Sequence, residues 1–283
     1  MLSHTPSNPL ASMLPVTAGA AAALPCELEA GQQARAHAIA QADVQANQRA
    51  SQRIVDSLKL LNSELAPQRR LVHAGEMLYQ AGQRFDCLYV MNSGFFKIVT
   101  LSPDGREQVV GLKFRGDWLG FDGIADGQYS CDAVAMDTGE VWLVRYDALL
   151  VACAGNRELL TALHEAMSRE IGRDRDSLMS VCTLPADARV AEFLRYWADS
   201  LAKRGLRTDQ IALRMTRAEI GNYLGMTLET VSRALSRLAR DKVIGFASKG
   251  RRDVHIPNVQ ALSAFVQRCL SPVPAAIPAP TLQ

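Results

Sequence analysis

Paired cysteines are missing from this 283-residue chain. Its six cysteines, Cys26, Cys87, Cys131, Cys153, Cys182 and Cys269, never stand at C-x-x-C spacing, which excludes a zinc ribbon or a dithiol redox pair. Their scatter fits a reducing compartment. The five histidines (His4, His37, His73, His164 and His255) are also solitary. A cupin-type metal centre needs His-x-His with a carboxylate and a further His, and that group is absent. So are a Ser/His/Asp set and a phosphate-binding glycine loop. An enzyme and a metal site are therefore not expected, and a cupin-like metalloenzyme is the weakest alternative. No apolar run approaches the roughly 20 residues of a membrane-spanning helix. No Lys or Arg precedes Arg35, so the Ala-rich stretch at residues 18–24 lacks the basic region of a secretory signal. Leu24-Pro25-Cys26 resembles a lipoprotein site only superficially, because proline precedes the cysteine. The expected location is the cytoplasm, with no membrane partner.

What is present is an uneven charge. The net value is only +2, with 48% hydrophobic and 21% charged residues, as in a soluble globular protein. From Ala186 to Cys269 there are 15 Lys/Arg against 8 Asp/Glu, or +7, while the remainder holds 16 against 21, or −5. A basic C-terminal module on an acidic body fits a phosphate-bearing partner.

Within that module, residues 215–233 read as two short helices joined by a tight turn. Ile220 and Leu224 stand i,i+4 on the first. Gly225 permits the positive φ of a sharp turn, and Thr227 can cap the second helix. Val231 and Leu235 face inward, leaving Glu229, Ser232 and Arg233 outward near the helix N-terminus, where a recognition helix meets base edges. Further on, residues 244–256 read as a hairpin whose basic tip, Lys249 to Arg252, forms a wing along phosphates.

Residues 1 to about 30, rich in Ala, Pro and Ser, are expected to be disordered. Residues 31–52 could be a solvated helix or loose chain; Ile54, Leu58 and Leu61 then mark one face of a helix to Leu65. From Arg70 to Arg145, short β-rich runs at 71–73, 87–91, 95–100, 108–112 and 140–144 alternate with glycine turns, which means an antiparallel barrel or jelly roll. From Asn156 to Thr183 the spacing of Leu160, His164, Met167, Ile171, Asp174, Leu178 and Val181 suggests a helix that pairs with a copy of itself. A helix packed on its own barrel would show a similar stripe. Asp174 interrupts the seam and is a candidate control point, because like charges would approach across a two-fold axis. Leu184-Pro185-Ala186 ends this helix, and another follows from Arg189 to Lys203 with Val190, Phe193, Leu194 and Trp197 inward. The tail from Ser271 is Pro/Ala-rich.

The fold class is thus α+β. The expected parts are an N-terminal extension (1–52), a β-roll (53–155), a dimerisation helix (156–184), a winged helix-turn-helix (185–270) and a flexible tail (271–283). Roll, long helix and winged helix-turn-helix in this order resemble the Crp/Fnr superfamily of bacterial transcription regulators over about Leu58 to Phe265. The fumarate-and-nitrate-reduction (Fnr) branch is the most similar. Arg115-Gly116-Asp117-Trp118-Leu119-Gly120-Phe121-Asp122 looks like that branch's roll loop, and Met215 to Gly225 with Glu229-Thr230-Val231-Ser232-Arg233 looks like its DNA-reading signature. The resemblance implies a homodimer that binds double-stranded DNA at an inverted TTGAT-type repeat, with RNA polymerase as a further partner. Base contacts fall to Glu229, Ser232 and Arg233, consistent with carboxylate acceptance from cytosine N4 and an arginine fork on guanine. Thr216, Arg217, Thr227, Thr230, Lys249, Arg251 and Arg252 are placed for phosphates.

The resemblance does not supply the signal. Cyclic-AMP-binding members carry a Glu where Phe121 stands and a phosphate-binding Arg that the stretch 126–131 lacks. Cyclic AMP is not expected. Oxygen-sensing members gather N-terminal cysteines and a roll cysteine around a 4Fe–4S cluster. Only Cys26 is N-terminal here and Trp142 takes the roll position, so a cluster is not expected either. No cofactor is evident. Three readings stay open: no ligand, a haem held by a residue such as His73 or His164, or thiol oxidation at Cys87, Cys131 or Cys182. A DNA-binding protein indifferent to sequence is the rival function, but Glu229 opposes it, since a carboxylate facing DNA weakens bulk binding and is useful only for choosing bases.

Overall fold

The computed structural model describes residues 25–102, 104–246 and 252–271. Helix α1 (Pro25–Leu65) is the first described element; it takes in residues 25–30, expected to be disordered, and the undecided stretch at 31–52, while the rest of the expected disordered stretch lies outside the described residues. From Gln45 onward the chain forms one body. Leu58 and Leu61 are buried, as their spacing predicts.

Eight strands follow: β1 (Gln68–Val72), β2 (Met77–Tyr79), β3 (Cys87–Met91), β4 (Phe96–Leu101), β5 (Glu107–Lys113), β6 (Trp118–Leu119), β7 (Asp132–Ala135) and β8 (Gly139–Arg145). They make two antiparallel four-stranded sheets in the orders β1-β8-β3-β6 and β2-β7-β4-β5. Strand β3 is buried on both faces, which explains its unbroken apolar run. Cys87, Tyr89 and Met91 join Phe96 and Ala133 of the other sheet between the layers. Leu88 and Val90 point the other way, onto Leu58 and Leu61 of α1 and onto the helices that follow. The period-2 pleat thus divides one strand between two cores. Strands β2, β6 and β7 have no counterpart in the sequence reading; β2 and β6 are three and two residues long.

Helix α2 (Tyr146–Gly155), also unread in the sequence, leads to α3 (Arg157–Thr183). Asn156 caps α3 by accepting from the amides of Glu158 and Leu159. The stripe of α3 packed on its own body is Leu159, Leu163 and Ala166, one residue out of step with the expected seam. The seam itself faces outward. Leu160, His164, Ile171, Asp174 and Leu178 are exposed, and Met167 and Val181 are half-buried. The alternative of a stripe spent on the chain's own barrel is therefore met by different residues.

The remaining elements are α4 (Ala186–Ala202), β9 (Gln210–Ala212), α5 (Arg217–Leu224), α6 (Leu228–Arg240), β10 (Gly245–Phe246), β11 (Asp253–His255) and α7 (Val259–Leu270). The sequence reading has no counterpart for β9 and α7. The hairpin is present as a three-stranded sheet, β10-β11-β9, but its tip, including Lys249 and Arg251, lies outside the described residues. Val190, Phe193, Leu194 and Trp197 are all buried on α4, as expected.

This C-terminal group is not a free-standing bead. Val99, Val109, Leu112 and Phe114 of the roll belong to the same buried cluster as α4, α5 and α6. Trp197 stacks on Phe95 at 5.8 Å and meets the edge of Phe114 at 5.4 Å. Such aromatic pairs contribute roughly 0.5–1.5 kcal/mol each beyond their burial.

Candidate nucleic-acid interface

The two helices of the motif are set by short-range chemistry. Thr216 caps α5 in a reciprocal capping box: its hydroxyl accepts from the Glu219 amide, and the Glu219 carboxylate accepts from the Thr216 amide at 2.7 Å. Gly225 ends α5 at φ 64°, a left-handed conformation that favours glycine. A second glycine, Gly221, lets the turn close; a Cβ there would lie 2.6 Å from the Met226 carbonyl oxygen. Thr227 then caps α6 through the Thr230 amide. Val231, Ala234, Leu235 and Leu238 bury one face of α6, which leaves the opposite face to solvent.

On that open face Glu229 and Arg233 are exposed and Ser232 is half-buried. The structure thus brings the three expected base-reading tips onto the first two turns of one helix. The expected phosphate contacts lie around them. Thr216 is exposed, but its hydroxyl already donates to Glu219 Oε2 at 2.8 Å. Arg217 is half-buried, its guanidinium 5.9 Å from the Phe246 ring on β10. The Thr227 and Thr230 hydroxyls lie 3.0 Å apart, so one of them can donate outward. Arg252 is exposed at the foot of the wing.

Where the roll meets α3 and the end of α4 sits a set of charges that the sequence reading missed. Asp117, almost fully buried, faces Arg173 of α3 at 2.8 Å and Arg204, just beyond α4, at 3.0 Å. It also accepts from the Phe114 amide. Burial pushes the Asp117 carboxyl up, but Arg204, Arg173 and Lys113 outweigh it and hold the group below the ordinary carboxylate range. Lys113 pairs with Glu170 of α3. Arg204 also donates to the Arg115 carbonyl and lies over the Phe114 ring. Roll, long helix and DNA-reading group therefore meet at one carboxylate. The only sequence cue was the Gly116-Asp117 pair in the roll loop, and nothing local named its partners.

A cavity of about 730 Å³ lies between the roll and α3. Its charged lining is Lys113, already paired, with Asp122, Glu170 and Asp174, and no arginine lines it. Three carboxylates around one neutralised lysine oppose an anionic ligand such as a cyclic nucleotide. Neither His73 nor His164 lines it; both are exposed. Cys131 does line it, donating to Asp122 at 3.2 Å. Burial pushes the Cys131 thiol well up and the Cys87 thiol to about 11, with help from Asp122 and Asp86 respectively. Little of either is thiolate at neutral pH, which disfavours them as oxidation sensors. Cys182 is exposed. Among the described residues, no three His, Cys, Asp or Glu side chains stand close enough to share a metal, and Trp142 spends its indole N–H on Glu140. The side chain of Cys26 lies outside the described residues. No helix of these residues is long and apolar enough to cross a membrane.

The chain is similar to known proteins. Residues 188–265 match the Crp-like helix-turn-helix domain family, and residues 69–156 match the cyclic nucleotide-binding domain family. The chain is 33% identical over 196 residues to the fumarate and nitrate reduction regulatory protein of Escherichia coli K12, covering 69% of this chain and 77% of that protein. It is 32% identical over 199 residues to the transcriptional regulatory protein btr of Bordetella pertussis, covering 70% and 82%. Among solved structures, FixK2 from Bradyrhizobium japonicum matches with a TM-score of 0.62 and 28% identity over 70% of this chain and 96% of that one. A CooA mutant from Carboxydothermus hydrogenoformans, at 17% identity and a TM-score of 0.59, shares the fold over 74% and 94%.

Proposed function

The chain belongs to the Crp/Fnr family of DNA-binding transcription regulators, which are not enzymes, and from that premise we propose that it reads an inverted TTGAT-type repeat as a homodimer. The observation that carries this reading is the open face of α6. An acceptor, Glu229, and a forked donor, Arg233, project bare from a helix whose other side is buried. In a major groove the guanidinium forks onto guanine O6 and N7, the carboxylate takes the cytosine amino group, and Ser232 serves a thymine. Arg217, Arg252, Lys249 and Arg251 grip phosphates on either side, with Thr216, Thr227 and Thr230.

The roll corresponds to residues 53–155, the pairing helix to 156–184 and the reading domain to 185–270. The stripe from Leu160 to Val181 on α3 supports pairing with a second copy: Leu160, Ile171 and Leu178 are exposed, while Met167 packs partly on the chain's own core. Two copies on a two-fold axis place their α6 helices in successive major grooves, about one helical turn apart. RNA polymerase is the partner through which such a dimer acts, in the cytoplasm. The acidic lining of the roll cavity favours a regulator that does not use a cyclic nucleotide.

The test is an electrophoretic mobility shift series with TTGAT-N4-ATCAA against scrambled duplexes of the same length. Arg233→Ala is expected to lose about 1–3 kcal/mol on the palindrome and to blur the preference at the guanine. Equal affinity of the unaltered protein for all duplexes would refute base-specific reading.

A further inference from the structure

Strand β5 is the edge of its sheet, so the outer backbone groups of Glu107 and Val109 have no neighbouring strand. An unpaired edge of this kind must find other partners. Here the partner is one side chain of the helix-turn-helix. Asn222 on α5 accepts from the Val109 amide through Oδ1 at 2.6 Å and donates from Nδ2 to the Glu107 carbonyl at 2.5 Å. Its amide thus stands in for a peptide of the missing strand. Gln108 returns a bond from Nε2 to the Asn222 main-chain carbonyl at 2.5 Å. Three residues earlier, Glu219 takes Lys97 of β4 at 2.5 Å while its other oxygen completes the α5 cap.

We infer that Asn222 is a positioning residue for DNA reading, one that fixes the height and angle of α6 relative to the helix that pairs the two copies. The inference rests on the reading proposed above. Its mechanical path is continuous. Glu170 and Arg173 of α3 hold the roll through Lys113 and Asp117. The roll edge holds α5 through Asn222, and the close turn at Gly221 passes that position to α6. The contact covers the side of α5 that faces the roll and leaves Glu229 and Arg233 open, so it orients the reading tips without masking them. Only a side chain with one acceptor and one donor at this reach satisfies both edge groups. Asp in the same place loses the donor and sets a carboxylate against the Glu107 carbonyl.

A device that sets the distance between two reading heads acts on a palindrome and not on a single half-site. The full-length protein is therefore titrated by fluorescence anisotropy against four duplexes: one TTGAT half-site, the TTGAT-N4-ATCAA palindrome, a palindrome whose spacer is longer by about 5 base pairs, or half a turn, and a scrambled control. The unaltered protein is expected to prefer the correct spacer to the altered one by about tenfold or more. Asn222→Asp is expected to erase most of that preference while half-site affinity stays within about twofold. Lys97→Met, which leaves Asn222 in place, is expected to weaken the preference in the same direction by a smaller factor. If both variants keep the spacer preference, the inference is overturned. It is equally overturned if Asn222→Asp lowers half-site and palindrome binding alike, since that marks a general structural role. If the unaltered protein does not distinguish TTGAT duplexes from the control, the functional reading itself fails and the inference falls with it.

Discussion

Helices α5 and α6 belong to one motif, share a turn and have similar caps, yet they end in opposite circumstances. The outer side of α5 is covered: Asn222 bonds the β5 edge, Glu219 bonds Lys97, and Tyr223 packs on Phe193. The outer side of α6 keeps Glu229 and Arg233 exposed. The contrast shows a division of labour that a helix-turn-helix sequence does not announce. One helix is immobilised by bonds to the body so that the other can remain unencumbered. An exposed polar face is useful for reading bases only if something else defines where it points, and here that definition comes from across the molecule.

The largest way to break the contrast is to loosen the covered side at its buried anchor. Arg204→Ala leaves Asp117 with Arg173 as its remaining ion-pair partner and strips a cation from the Phe114 ring. Denaturant unfolding is expected to show a loss of about 3 kcal/mol, the lower end for breaking a buried ion pair because one partner survives. A loss too small to resolve would mean that the aromatic cluster alone holds the covered side. The same carboxylate sets a pH response. Its folded value lies below the ordinary one, so its contribution is present at neutral pH and is lost as pH falls below about 3.9 and through the folded value. The difference between the unaltered protein and Arg204→Ala should therefore shrink in strong acid.

A smaller break falls between the two helices. Gly221→Ala places a methyl 2.6 Å from the Met226 carbonyl and forces the turn apart. About 1–3 kcal/mol of stability is expected to go, the usual range for overpacking, and palindrome binding should weaken with it. Unchanged melting and binding would show that the turn does not transmit position.

The smallest effect sharpens the contrast from the α3 side. Asp174 lines the cavities beside Tyr223, and burial with the Glu170 charge pushes its carboxyl up despite Lys113 and Arg173. A carboxylate with a raised value is a liability while ionised and ceases to be one once protonated. Asp174→Asn should raise the melting midpoint slightly at neutral pH, with the gain fading in acid. Sedimentation should shift toward dimer; an unchanged profile would remove Asp174 from control of pairing.

How much of this was readable in advance depended on distance along the chain. The motif was legible because its determinants are local: Gly225, Thr227 and the i,i+4 apolar pairs act within a few residues. The roll was legible where strands are long enough to alternate, and not at β2 and β6, which three and two residues cannot declare. On α3 the heptad spacing identified an apolar stripe, and the structure supplies a second, Leu159, Leu163 and Ala166, that the first had hidden. Asn222 was invisible for a physical reason. A polar residue on a short helix reads as solvated, and its partners, Glu107 and Val109, lie more than a hundred residues earlier. The Asp117 anchor joins residues 117, 173 and 204, so each partner reads locally as an ordinary surface charge.

The cluster in which Phe114, Val109 and Leu112 of the roll sit with Trp197, Leu194 and Leu224 bears on how this molecule can be taken apart. Cutting at the boundary near residue 185 would slice through a hydrocarbon interior rather than across a hinge. The excised reading fragment would present an oily wound where the roll had been, and would clump or grasp detergents rather than behave as a miniature of the parent. Modular exchange between such regulators would have to carry the β4–β5 ribbon along with the reading helices, making the transplantable piece discontinuous in the gene.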